Sequence, residues 1–284
     1  MNLKPFKLTG PTCLSFSGGR TSAFMLWLTI QANTPEDIER WLLVCFANTG
    51  KEDEATLRFV RECARRWNIR IVWLEYRNDE AGFVIVDFAT ASRDGEPFEA
   101  IIRKRQYLPN PVTRFCTSEL KIRTMHRYLR SLGWVDWDQF IGLRADEQRR
   151  VAKIRARGHS TETVHETMCM PLADASLTVH DVGAFWSAQP FNLELDTFNG
   201  RTLEGNCDLC FLKPMAQRLS IIKKRPEAAV FWIRMESLGL ASKPEGAVFN
   251  KDTPSYARLA RYAEEQVDMF YDAQDDMLAC FCGD

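Results

Sequence analysis

One stretch near the N-terminus, Cys13-Leu-Ser-Phe-Ser-Gly-Gly-Arg-Thr-Ser22, constrains the fold more than any other. Leu14-Ser15-Phe16 reads as the end of a buried strand. The chain then turns at Ser17-Gly18-Gly19, and a segment that is apolar almost all round, Ala23 to Ile30, follows at once. Such a segment is expected of a helix buried in a sheet protein. A strand, a glycine turn and a helix N-terminus make an anion cradle. Backbone N–H groups point outward, the helix dipole is positive there, and glycine lets a phosphate approach the backbone. Ser15, Ser17, Gly18, Gly19, Arg20, Thr21 and Ser22 are therefore candidate anion-binding residues. The triplet alone is also what a tight turn needs for backbone reasons; its two flanks favour the cradle. The stretch lacks the GK[ST] ending of a Walker A loop.

The rest of the N-terminal half continues the alternation. Trp41 to Phe46 and Ile69 to Leu74 read as buried strands, and Gln139 to Gly142 as a short one. Between them, Leu57, Val60, Ala64 and Trp67 recur at helical spacing within Asp53 to Trp67. Thr117 is placed to cap a helix that reaches about Leu132 and stops at Gly133. The pattern predicts an α/β fold, a Rossmann-like parallel sheet covered by helices on both faces. Ligands of such sheets sit at the carboxyl ends of the strands. The SGG turn, Asn48-Thr49-Gly50 and Gly142-Leu143-Arg144 all follow strands, so all three are expected to line one cleft. After about residue 158 the periods fade. A short helix at Val182 to Trp186 is followed by helices at Pro214 to Lys224, Pro226 to Leu238 and Thr253 to about Met269. The expected division is an α/β domain over 1–157 and a mostly helical, cysteine-containing region over 158–284 packed on the first.

At 284 residues, with 45% hydrophobic and 26% charged side chains, the composition is that of a globular enzyme. No run of 18 apolar residues is present, so no membrane span or membrane partner is expected. The first residues lack the apolar core of a signal peptide, and a cytoplasmic location is expected. Net charge is only −1, yet residues 101–157 hold fourteen Lys or Arg against five Asp or Glu. A basic wall facing an anionic substrate accounts for that excess better than a solvated helix face. A nucleic-acid partner lacks the interleaved aromatic pattern that would support it.

The SGGxxS pattern resembles the PP-loop of the adenine-nucleotide α-hydrolase superfamily, and in particular the 3′-phosphoadenylyl-sulfate (PAPS) reductases. Two further loops resemble that family. Phe46 to Thr56 is similar to its "DTG…T" loop, with Asn48 in place of the aspartate. Gly142 to Arg150 is similar to its "GxRxxQS" substrate loop, with Arg144 at the matching arginine. The resemblance implies a PP-loop fold that binds an adenine nucleotide or an adenylylated sulfur anion. Asn48, Thr49, Gly50, Gly142, Arg144 and Arg150 then join the binding set. Thr21 stands where many relatives carry an acid used near magnesium, which weakens the case for ATP cleavage.

Nine cysteines in an unsecreted chain do not read as a disulfide framework. Cys13, Cys45, Cys63 and Cys169 fit core positions. Cys116 precedes a predicted helix, where a thiolate is favoured. The resemblance implies that Cys116, Cys207 and Cys210, with Cys280 as a fourth, hold a [4Fe–4S] cluster. Four thiolates also suit structural zinc. The family's tail cysteine attacks the sulfur of the bound substrate, and Cys282 is the matching candidate for the catalytic nucleophile, regenerated by an external thiol reductant. His126, His159, His165 and His180 share no metal spacing. The expected function is thus a reductase or sulfur-transfer enzyme. An ATP-dependent tRNA or DNA thiolation enzyme and a non-enzymatic nucleotide-binding module with zinc remain open.

Overall fold

The computed structural model describes residues 2–198 and 201–265. A 3-10 turn at Lys4–Phe6 leads into β1 (Thr12–Ser15), α1 (Arg20–Ala32), α2 (Pro35–Trp41), β2 (Leu42–Asn48) and α3 (Glu54–Arg66). Then come β3 (Ile71–Tyr76), β4 (Phe83–Val86) and α4 (Glu96–Arg105). α5 (Phe115–Thr117), a π-helical stretch Ser118–Arg123 and α6 (Thr124–Ser131) run on as one helical rod. β5 (Trp137–Phe140), α7 (Gln148–Arg157), β6 (Glu166–Cys169), α8 (Pro171–Asp174) and α9 (Val179–Ser187) follow. The small hairpin β7 (Thr197–Phe198) and β8 (Arg201–Thr202) precedes α10 (Met215–Lys224), α11 (Ala229–Glu236) and α12 (Tyr256–Glu265).

Local chemistry sets several of these bounds. Thr34 and Asp37 form a capping box that starts α2, with Pro35 at its first position. Asp53 accepts the Ala55 N–H at 2.8 Å and starts α3 where the periodicity placed it. The rod around Cys116 starts earlier than the sequence suggests. Its N-cap is Arg114, so Thr117 lies inside the helix and caps nothing. The capping expectation fails because the helix already begins at Phe115, two residues before Thr117.

The sheet order is β4-β3-β2-β1-β5-β6, parallel except for the edge strand β4. The chain moves from β1 one way to β2 and β3, and the other way to β5 and β6. That reversal beside β1 opens a crevice at the carboxyl ends, where α/β sheets take ligands. Alternation assigns the two faces. Leu14, Phe16, Val44, Phe46, Trp73 and Phe140 pack on α1, α3 and α9. Cys13, Cys45, Val72, Leu74 and Trp137 face Met125, Tyr128 and Leu129 of α6. A separate core joins Phe98, Ile101 and Ile102 of α4 to Phe211, Ile222, Trp232, Phe249, Tyr256 and Leu259. The sheet continues past residue 157, since β6 completes it and Trp186 of α9 belongs to the first core. β6 carried no visible period because its four residues, Glu-Thr-Met-Cys, are half polar. No helix among the described residues is long and apolar enough to cross a membrane.

Candidate active site

The loop after β1 has the geometry of an anion cradle. Gly18 takes φ +80°, and a Cβ there would stand 2.5 Å from Thr56 Cγ2. Glycine is required on both counts. Ser22 ties the turn together: its Oγ accepts the Ser17 N–H at 3.1 Å and donates to Gly19 O at 3.0 Å. The N-cap of α1 is Gly19, which offers no side-chain oxygen to the first-turn N–H groups. A helix of 13 residues thus presents its positive end with no side-chain cap.

Beside the loop lies a cleft of about 340 Å³ at the carboxyl ends of the strands. Of the expected set, Ser15, Ser17, Ser22 and Gly142 border it, while Gly18 and Gly19 line a separate small gap beneath Leu193 and Thr202. Gly142 passes so near α1 that a Cβ on it would lie 3.4 Å from Ser22 Cα. Arg150 lines the cleft and is paired with Glu147. Arg144 instead reaches the first turn of α1, donating to Thr21 Oγ1 at 3.2 Å, and pairs with Asp146 at 3.1 Å. Arg20 turns away from the cradle. Its guanidinium donates to Asn192 Oδ1 at 2.7 Å, Thr197 Oγ1 at 2.7 Å and Leu193 O, and so straps the 192–202 segment to α1. Half-burial lowers its pKa from the usual arginine value.

Arg114, Lys121, Lys153 and Arg157 also line the cleft, and with Arg150 they set five cations against Glu162 and Glu166. None of these four was singled out as a binding residue from sequence. Their signal was the basic excess of residues 101–157, which the fold gathers on one wall. Gln139 and Glu166 on the cleft floor carried no signal, because a polar residue in a short strand looks like solvent exposure until the strand is buried.

The second loop is closed. Asn48 and Thr49 are buried, Gly50 takes φ +76°, and none of the three lines the cleft. Asn48 Nδ2 donates to Glu75 Oε1 at 2.6 Å and to Ser92 O at 2.9 Å. The Thr49 N–H and hydroxyl both donate to Glu52 Oε2 at 2.8 Å. The segment 51–52 forms a β-bridge to Cys207, and buried Lys51 pairs with Asp208 at 3.1 Å. This loop therefore holds the CxxC segment against the sheet.

Cys207 stands 3.5 Å from Thr49 Oγ1, with Glu52, Lys121 and Cys116 in its field. Burial, then Glu52, pushes its thiol well above the usual cysteine range. Cys116 is in the first turn of the helical rod and Cys210 is buried. Two thiols sharing one field suit a thiophilic metal, yet among the described residues no three His, Cys, Asp or Glu side chains converge to hold one. The described residues thus do not complete a cluster or zinc site. Cys280 and Cys282 lie outside the described residues. Cys13, Cys45 and Cys63 are buried free thiols of the core, whereas Cys169 is half-buried at its edge, where desolvation pushes its thiol up to about 12.

An SGG loop opening on a cation-lined cleft at a sheet crevice narrows the family, and the family model of the phosphoadenosine phosphosulfate reductase domain matches residues 11–189. The chain belongs to that family. It is also 30% identical over 223 residues to the uncharacterized nin region protein ORF290 of Escherichia phage lambda, covering 75% of this chain and 70% of that one. Among solved structures, it is similar to phosphoadenylyl-sulfate reductase from Candida auris in its phosphate complex. That match has 15% identity, covers 67% of this chain and 82% of the other, and has a TM-score of 0.42. The U34-tRNA thiolase NcsA from Methanococcus maripaludis with its [4Fe–4S] cluster matches at 12% identity, over 92% and 73% of the two chains, with a TM-score of 0.37. Family membership rests on the family model alone.

Proposed function

We propose that this member of the PAPS reductase family binds an adenylylated sulfur anion and reduces or transfers its sulfur. The observation that carries the reading is the uncapped N-terminus of α1 opening on a cleft lined by five cations. Phosphate or sulfate oxygens would take the first-turn N–H groups of α1. Arg150, Lys153 and Arg157 of α7 would neutralise the remaining charge. Arg144, held on Thr21 by its hydrogen bond, would orient the first turn from behind.

The covalent step would use Cys282. Its thiolate attacks the sulfonyl sulfur, an S–S bond forms, and the S–O bond to the nucleotide phosphate breaks, releasing the nucleotide. An external dithiol then displaces sulfite and leaves as a disulfide. No step is routed through a metal. An iron–sulfur cluster or zinc on Cys116, Cys207, Cys210 and Cys280 is a separate part of the proposal, tested by iron and zinc content after anaerobic purification.

The deciding experiment titrates the protein with PAPS, adenylyl sulfate and ATP, and assays sulfite release with a dithiol present. Tight PAPS or adenylyl-sulfate binding and sulfite release lost in Cys282→Ser support the reading. ATP turnover that requires magnesium and tRNA or DNA would replace it with nucleobase thiolation.

A further inference from the structure

The loop after β1 has a second side, away from the cleft. There Ser17, Gly18, Gly19 and Thr56 stand across a gap of about 10 Å³ from Leu193, Thr202, Gly205 and Asn206. That is room for one water and not for a phosphate. The far wall belongs to the stretch that leads from α9 to Cys207, and one cation fastens the start of it. The Arg20 guanidinium donates to Asn192 Oδ1 at 2.7 Å, Leu193 O at 2.5 Å, Leu195 O at 3.4 Å, Thr197 Oγ1 at 2.7 Å and Thr202 Oγ1 at 3.1 Å. Every one of these acceptors is neutral. Burial lowers the Arg20 pKa, with no carboxylate to offset it. The remaining ties are weaker or lie at the two ends. Arg58–Glu194 at 3.1 Å and Lys224–Asp196 are surface ion pairs. Upstream, Phe191 packs on the rings of Phe59, Trp67 and Trp186. Downstream, Lys213 Nζ holds Leu203 O at 3.1 Å and Gly205 O at 2.6 Å. Between these anchors, residues 192–197 are kept in place by Leu193 and Leu195 on the first core and by Arg20.

We infer that Arg20 is an anion-sensing latch: a phosphate arriving at Gly18 and Gly19 draws the guanidinium off its neutral acceptors, and residues 192–197 swing clear of the gap. This rests on the loop after β1 holding the anion, as proposed above. Arg20 is the first residue of α1 and follows Gly19 directly, so an anion in the loop lies beside its charge. Bonds from a guanidinium to phosphate oxygens are roughly twice as strong as bonds to neutral acceptors, which favours the exchange. Only the open form has room for a phosphate on this side of the loop. The ligand therefore binds the two forms unequally and shifts the population toward the open one. Thr56 lines the same gap, and its hydroxyl is buried without a hydrogen-bond partner, a cost carried by the closed form.

The test uses the full chain with inorganic pyrophosphate as the probe. A glutamate-specific protease reports opening through the rate of cleavage after Glu194, followed by mass spectrometry. Saturating pyrophosphate is expected to speed that cleavage about fivefold or more, whereas a ligand that merely stabilises the fold slows it. Asn192→Ala combined with Thr197→Val removes two acceptors of the latch and keeps the cation. Without ligand this variant should be cleaved about as fast as wild type is with it. It should also bind pyrophosphate about three- to tenfold faster in stopped flow, read by tryptophan fluorescence, since Trp186 Nε1 donates to Arg20 O at 2.9 Å. Melting curves show whether the variant is folded. Wild-type cleavage that pyrophosphate leaves unchanged or slows overturns the inference whatever the variant does, and leaves the proposed function standing. A folded variant with wild-type cleavage and association rates does the same. No binding of pyrophosphate or of any adenine nucleotide overturns both.

Discussion

Two loops of this protein follow neighbouring parallel strands, and they end in opposite states. The loop after β1 leads into a helix N-terminus without a side-chain cap, and its Ser17 and Ser22 border a cleft. The loop after β2 buries Asn48 and Thr49, consumes their polar groups internally, and grips the CxxC segment through Lys51, Glu52 and Asp208. Both carry glycine with positive φ, and both read from sequence as substrate loops. What separates them is the partner packed against each. The segment strapped by Arg20 lies over Gly18 and Gly19, with Leu193 and Thr202 across a small gap, and Ser17 and Ser22 remain on the cleft, whereas Asp208 and Cys207 close over the second. Under the proposed function, ligand capture falls to the first loop and fold integrity to the second.

The sharpest way to break that contrast is Gly18→Val. Positive φ and the 2.5 Å approach of Thr56 make the turn impossible without rearrangement. Nucleotide affinity should fall by about 100-fold or more as the amide cradle is lost. Calorimetry of a variant that still melts cooperatively checks this, and retained affinity would remove the loop from the site.

Asp208→Ala should do the reverse. Asp208 pairs with Lys51 at 3.1 Å and accepts from Trp232 Nε1 at 2.9 Å, both buried. Stranding Lys51 should destabilise the fold by about 3–5 kcal/mol, measured by urea unfolding. Affinity of the folded fraction for the nucleotide should stay within about twofold. A large loss of affinity with unchanged stability would show that the second loop also touches the ligand.

Arg150→Ala and Arg157→Ala test the cleft wall. Each should weaken an anionic nucleotide by roughly 3- to 30-fold, with a shallower dependence on salt. Binding that ignores both changes would place the phosphates elsewhere.

The smallest effect concerns Cys207. In the metal-free protein, burial and then Glu52 push the Cys207 thiol well above the usual cysteine range, so thiolate is scarce there. Alkylation of Cys207 by iodoacetamide should run at less than about a tenth of its rate in urea, and raising the pH to 9 should change the native rate little. Fast native modification would mean that the second loop opens.

Much of the architecture was legible before any coordinates. Four strands, α1, α3 and the later helices come from short-range patterns: apolar runs, i, i+3, i+4 spacing and caps such as Asp53. The cradle was legible because its chemistry is local; ten consecutive residues contain the strand end, the glycines and the helix start. The misreadings have local causes too. Thr117 looked like a cap because no local signal marks the helix start at Phe115. β6 was hidden by its polar residues, one of which, Glu166, is polar because it faces a cleft.

The sequence by itself determined the family, the α/β alternation and the glycine turn after β1, because each depends on contiguous residues with fixed backbone requirements. Only the tertiary structure decided which loop borders the cleft. It also decided that Arg20 straps a covering segment, and that Gln139, Glu166 and the cations of α5 to α7 share one cleft with Ser17 and Ser22. Those relations join residues more than a hundred positions apart, and they arise from strand order and helix packing, which no local pattern encodes.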